Sequence, residues 1–324
     1  MVNKTFAIYN SASIWENTSP ASSLSHTTNK LNSNLDRLQP YPFQKLNKLF
    51  KELTPNKAFA PINLHIGEPK HATPDFICNA LTDNLAGMAH YPTTLGARSL
   101  RASMAAWLVR RYRLPAIDPD AQIIPVNGSR EALFSLAQAA IDSSLSQAAV
   151  VCPNPFYQIY EGAALLAGAT PYFLNALPEN NFILDYAQVP NDIWSRTQLM
   201  YVCSPGNPTG SVMSMDEWRK LFEFSDRYGF IVAADECYSE IYFDEATPPL
   251  GALEAAHRLG REGYPRLIVF GSLSKRSNVP GMRSGFAAGD AAILEKFLLY
   301  RTYHGSAMNP AVQSASDAAW DDEL

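Results

Sequence analysis

The chain has 324 residues, 47% of them hydrophobic and 18% charged, with a formal net charge of −5. This is the composition of a soluble globular protein with ample material for a core, long enough for two domains. It excludes the strongly basic chains that bind nucleic acid or anionic membranes, and no apolar run reaches the roughly 18 residues of a membrane span.

In chain order, residues 1–33 are rich in Asn, Ser and Thr. They lack the charged and apolar regions of a secretory signal, so a disordered leader is expected. Order is expected from about Leu35. The stretch "PFQKLNKLFKEL" sets Phe43, Leu46, Leu49, Phe50 and Leu53 on one helical stripe, with Pro42 near its start. Seven apolar runs then read as strands, at 123–127, 148–152, 171–175, 199–203, 230–234, 267–271 and 285–289. Helical periodicity fills 130–141, 156–167, 215–228 and 290–302. Strands alternating with helices imply an α/β fold with a mostly parallel sheet covered on both faces. The four cysteines, Cys78, Cys152, Cys203 and Cys237, lie far apart without C-x-x-C spacing, as buried free thiols of a cytosolic protein would. The six histidines are scattered, so no histidine metal site is expected.

Ligands of such sheets sit at the carboxyl ends of the strands, so the residues directly after each strand are the candidates. Gly128-Ser129-Arg130 opens a helix whose N-terminal amides suit a phosphate, or serves as a plain cap. The full G-x-G-x-x-G and G-x-x-x-x-G-K-[ST] patterns are missing, which argues against NAD and ATP. Phe156 and Tyr157 end the second run, able to stack on a flat ring or to pack in the core. "SPGNPTG" (204–210) is a stiff turn that presents Asn207. Asp235 and Glu236 end an apolar strand, which is costly unless they are paired or ligating; a helix cap by Asp235 is the plain alternative. Ser272, Ser274 and Lys275 follow the sixth run, with Arg283 eight residues beyond the lysine.

Together "SPGNPTG", "ADECYSE" and "SLSKRSNVPGMRSG" resemble the markers of the fold-type I pyridoxal-phosphate aminotransferases of class I/II. The resemblance runs from about Leu35 to the C-terminus. It implies pyridoxal 5′-phosphate as cofactor and transamination between an amino acid and a 2-oxo acid. It also implies a layout: an N-terminal arm and small-domain helix over 34–60, a large cofactor-binding domain over 61–310, and the start of a C-terminal small domain at 311–324. Most of that small domain is expected to lie past Leu324.

The resemblance implies roles as well. Lys275 would bond the cofactor aldehyde and then move the substrate proton; a lysine in a cationic, partly dry setting has the lowered pKa this needs. Asp235 would pair with the ring nitrogen, while Asn207 and Tyr238 would bond the ring's phenolic oxygen and Tyr157 would stack on its face. Gly128, Ser129, Arg130, Ser272 and Arg283 would cradle the phosphate. Tyr91, in "HYPTTLGARSLR", would reach the phosphate bound by a second subunit, which makes a homodimer the expected form. Gly67, in "LHIGEP", would meet the substrate carboxylate beside Asn207. Arg301, in "YRTYHG", is a candidate for a distal substrate carboxylate, or else only complements the end of its helix.

Within the family, "LQPYPFQKLNKLF", "INLHIGEPKHATP" and "VCPNPFYQIYEGAALLAGATPY" are similar to the proteobacterial N-succinyldiaminopimelate aminotransferases. That likeness implies glutamate as amino donor in diaminopimelate and lysine biosynthesis. The alternatives are an aspartate- or alanine-type enzyme of the same subgroup, a β-lyase, a catalytically silent cofactor-binding module, and an inactive fragment. The last follows because no residue can be assigned to clamp the substrate α-carboxylate. A cytoplasmic protein is expected, with no nucleic-acid, membrane or metal partner.

Overall fold

The computed structural model describes residues 31–60, 62 and 66–322. The leader expected over 1–33 lies outside them, apart from its last three residues.

Each of the seven apolar runs forms a strand: β1 (Ile123–Val126), β2 (Ala149–Asn154), β3 (Thr170–Asn175), β4 (Thr197–Cys203), β5 (Ile231–Asp235), β6 (Leu267–Ser272) and β7 (Gly285–Gly289). Three helices precede the sheet: α1 (Pro42–Phe50), α2 (Asp75–Asp83) and α3 (Arg98–Tyr112). Between strands lie α4 (Ser129–Ala140), α5 (Ile159–Leu166), α6 (Asn191–Trp194), α7 (Met215–Tyr228), α8 (Ala252–Arg258) and α9 (Leu273–Arg276). After the sheet come α10 (Ala291–His304) and α11 (Pro310–Asp321). The periodic segments coincide with α4, α5, α7 and α10 to within a turn. Helix α3 carries no one-sided apolar stripe in the sequence, because its buried face holds Arg101 among Leu100, Met104, Ala105 and Leu108.

The sheet order is β1-β7-β6-β5-β4-β2-β3, parallel except that β7 runs antiparallel to both neighbours. The carboxyl ends of the other six strands therefore share one edge. The amino end of β7 reaches that same edge, since Gly285 pairs with both Val126 and Ser272. Alternate residues feed two cores. In β4, Leu199 and Tyr201 face the layer of α4, α5 and α10, and Met200 and Val202 face that of α3, α7, α8 and α11. With both faces covered, such strands read as continuous apolar runs. Local signals end the helices: Ser214 and Glu217 form a capping box on α7, and Gly229 stops it in the left-handed conformation.

The apolar stripe of α1 stays uncovered among the described residues; no residue of α1 is buried, and Leu49 is 73% exposed. One expectation is corrected: residue 311 is not a packing boundary. Ala315, Ala319 and Trp320 of α11 are buried in the same core as the sheet, with Trp320 4.8 Å from Trp107. No helix among the described residues is long and apolar enough to cross a membrane.

Candidate active site

A cavity of about 620 Å³ opens at the edge where the strands end. Ser129 and Arg130 enter it from the start of α4, Tyr157 from the end of β2, and Asn207 from the turn after β4. Asp235, Cys237 and Tyr238 come from the end of β5, Ser272 and Lys275 from the end of β6, and Arg283 from the segment entering β7. Tyr41 and Phe43 at the start of α1, with Gly67, complete the wall.

One end of the cavity is built for an anion. The first-turn amides of α4 receive no side-chain cap, so they remain free donors beside a positive dipole end. Gly128 stands there at φ 85, and a methyl group on it would overlap the Arg283 guanidinium. Arg283 itself is left-handed, at φ 55 and ψ 60, a conformation that costs a non-glycine residue on the order of 1 kcal/mol. It holds the guanidinium over the helix terminus, where Nη1 donates to Pro280 O at 3.0 Å.

At the other end, Asp235 is buried. Its Oδ2 accepts the Tyr160 hydroxyl at 2.8 Å and its Oδ1 accepts Cys237 N–H at 3.2 Å. Burial pushes its pKa up, and the hydrogen bonds from Cys237 and Tyr160 pull it back. The alternative of Asp235 as a helix cap fails, because turns rather than a helix follow it. Lys275 donates from Nζ to Gly67 O and lies 5.6 Å from the centre of the Tyr238 ring. Burial lowers its pKa, and repulsion from Arg283 adds to the effect. Burial raises the Tyr238 phenol to about 12.

Three cations line the cavity: Arg130, Lys275 and Arg283. None pairs with a carboxylate among the described residues, and Asp235 is the only acid in the wall. Such a site favours an anionic ligand. It also offers an amine of lowered pKa beside an aromatic ring.

Of the residues singled out in the sequence, Gly67, Ser129, Arg130, Tyr157, Asn207, Asp235, Tyr238, Ser272, Lys275 and Arg283 share this one cavity, with Gly128 directly behind Arg283. Tyr91 is fully exposed and lines no part of it. The expectation for Arg301 is corrected. Its side chain is fully buried, and Nη1 and Nη2 grip both oxygens of Glu131 at 2.8 and 2.9 Å. Glu131 also accepts Asn127 N–H at 2.8 Å. Arg301 thus braces the start of α4 from behind, with no face toward the cavity.

Sequence reasoning missed Tyr160 and Cys237. Tyr160 lies three residues beyond Tyr157, stacked on Tyr201 at 4.5 Å with an interplanar angle of 7°. Tyr157 lies in the turn before α5 and Tyr160 in its first turn, so no helical period marks the pair.

Comparison with known proteins gives the family. The profile of "Aminotransferase class I and II" matches residues 60–324. LL-diaminopimelate aminotransferase from Dehalococcoides mccartyi is 32% identical over 296 residues, covering 90% of this chain and 72% of that protein. The crystal structure of an aminotransferase from Neisseria meningitidis Z2491 superposes with a TM-score of 0.87 at 52% identity, covering 91% of this chain and 74% of that one. Aminotransferase AspB from Helicobacter pylori 26695 gives a TM-score of 0.82 at 39% identity, covering 88% and 74%. The chain belongs to the class I and II aminotransferases.

Proposed function

We propose that the cavity holds pyridoxal 5′-phosphate, the cofactor this family uses, and that the protein transaminates a diaminopimelate-type substrate, N-succinyl-LL-diaminopimelate, with 2-oxoglutarate and glutamate as the second pair. The residues fit the cofactor. The α4 terminus, Ser129, Ser272 and Arg283 match a phosphate, the Tyr157 ring lies where a flat ring could stack, and Asp235 is an acid for a protonated ring nitrogen. When bound, the cofactor supplies the electron sink for the pair left as a substrate proton departs.

In this reading Lys275 would be the residue that holds the cofactor through its aldehyde, and as a free amine it would take and return the proton at the substrate Cα. Tyr238 and Asn207 would hold the ring's phenolic oxygen. Asp235 would face the ring nitrogen, and the hydrogen bonds from Tyr160 and Cys237 favour its charged form against the burial that raises its pKa.

The observation that carries the substrate reading is the Arg130 side chain. It faces the cavity and, among the described residues, donates only to the phenol oxygens of Tyr157 and Tyr41. A guanidinium without an acid partner at the mouth is a ready site for a substrate's distal carboxylate, the role for which Arg301 is not available. Replacing Arg130 by Ala should lower kcat/KM for a dicarboxylic substrate about 10- to 100-fold, the worth of one charge-assisted hydrogen-bonded contact. Alanine as substrate should be little affected. Equal losses on both would reject the role.

The N-succinyl form is tested by comparing kcat/KM for N-succinyl-LL-diaminopimelate, free LL-diaminopimelate, aspartate and alanine. The free form is the second reading, favoured by relatives named LL-diaminopimelate aminotransferase. Preference for aspartate would overturn both.

We also propose a homodimer in which Tyr91 completes the partner's phosphate site. Its fully exposed ring supports this. Sedimentation should give the mass of two chains, and Tyr91→Phe should weaken cofactor binding. A single-chain mass at micromolar concentration would reject it.

A further inference from the structure

Cys237 lines the cavity between Asp235 and the start of α4, with its sulfur 2.8 Å from Ser129 Oγ. We propose that Cys237 is a positioning residue: its thiol donates to Ser129 Oγ, which turns the Ser129 hydroxyl hydrogen into the cavity as a further donor to the cofactor's phosphate. The proposal rests on the phosphate cradle described above and assigns a direction to one bond within it.

Each of the two groups has one hydrogen to give. Burial, reinforced by the neighbouring Asp235, pushes the thiol pKa well above its ordinary value, so Cys237 keeps its hydrogen at neutral pH. Were Ser129 the donor, its hydrogen would be spent on sulfur, a weak acceptor. The hydroxyl would then turn a lone pair toward the anion, at the place where the α4 amides and Arg283 offer hydrogens. The reverse direction satisfies the sulfur hydrogen and adds a donor.

Asp235 is the competing acceptor for the same thiol hydrogen. Its two oxygens take the Tyr160 hydroxyl and the Cys237 amide and keep lone pairs to spare, so the choice between Asp235 and Ser129 is left to the test. If the thiol served Asp235 instead, its loss would be felt at the ring nitrogen rather than at the phosphate. The two cases therefore differ in which part of the cofactor responds.

The test is equilibrium binding of pyridoxal 5′-phosphate and of pyridoxal, which lacks the phosphate, with the phosphorus-31 resonance of the bound cofactor as a second readout. Cys237→Ala and the closer-sized Cys237→Val should weaken pyridoxal 5′-phosphate about fivefold, the scale of one neutral hydrogen bond. Pyridoxal binding should stay unchanged, the phosphorus resonance should shift, and Cys237→Ser should restore both. Ser129→Ala should lose at least as much, and adding Cys237→Ala to it should cost nothing more. An equal loss on both ligands, or no loss on either, overturns the proposal. So does a Ser129→Ala protein with parental phosphate affinity, whatever the folding of the cysteine variants. A parent protein that does not prefer pyridoxal 5′-phosphate to pyridoxal would instead overturn the phosphate cradle itself.

Discussion

Replacing Asp235 by Asn is expected to leave the fold and cofactor binding in place and to cut turnover on the order of a thousandfold, the scale of removing one electrostatic contact aimed at the reacting system. The fold should survive because the asparagine oxygen can still accept the Tyr160 hydroxyl, which lies 2.8 Å from Asp235 Oδ2, and only the 3.2 Å bond from Cys237 N–H to the other oxygen is given up. What is lost is charge. A neutral amide cannot hold a proton on the ring nitrogen opposite it, and the ring then withdraws electrons poorly. The cost is steep because the carboxylate is buried at the end of β5, out of reach of screening water. The same burial raises its pKa, so turnover in the parent should fall as pH drops and Asp235 gains a proton. Loss of the Tyr160 donor should move that fall to higher pH. Steady-state rates with the cofactor saturating, across a pH series, measure both effects. Parental turnover in Asp235→Asn would return Asp235 to a purely structural role.

The second large effect is expected at Lys275. Borohydride reduction of the cofactor-loaded protein, digestion and mass analysis should find the pyridoxyl group on Lys275 and on no other lysine. Lys275→Ala should lower turnover by about 10⁴-fold or more, the upper range for a positioned general acid–base. It should also abolish the covalent label, while the anion end of the cavity still binds phosphate. The pH dependence has a definite sign. Burial and the positive charge of Arg283 lower the lysine's pKa, so the neutral amine is present at lower pH than in an ordinary lysine. The rate of cofactor attachment should therefore rise with pH and level off below the range where free lysine titrates. Arg283→Ala would remove part of that repulsion and move the plateau upward. A label on another lysine would reject the assignment.

Much of this site is legible in the linear chain. The strands are buried on both faces, so each appears as a short run of apolar residues, and the polar residues that follow each run mark the ligand edge. Lys275, Asp235 and Asn207 stand out because small or rigid residues surround them and no local partner explains them. Helices whose buried face carries no charge, such as α7, show their period; α3 does not, because its buried face carries Arg101. The stripe of α1 shows the opposite failure, since periodicity reports an apolar face but not whether anything covers it.

The chain by itself determined the positions of the strands, the turn chemistry at their ends and the identity of the groups presented there, because these depend on near neighbours and on short continuous apolar runs. Only the tertiary structure decided which groups meet. Arg301 looked free to bind substrate until α10 packed against α4 and gave it Glu131. Tyr160 serves Asp235 across 75 residues, and Cys237 reaches Ser129 across 108. Arg283 comes to the site because β7 runs antiparallel, which turns its amino end to the edge where the other strands finish. Each of these depends on the direction of a strand or the facing of two helices, set by how two whole cores pack. No short stretch of sequence holds that information.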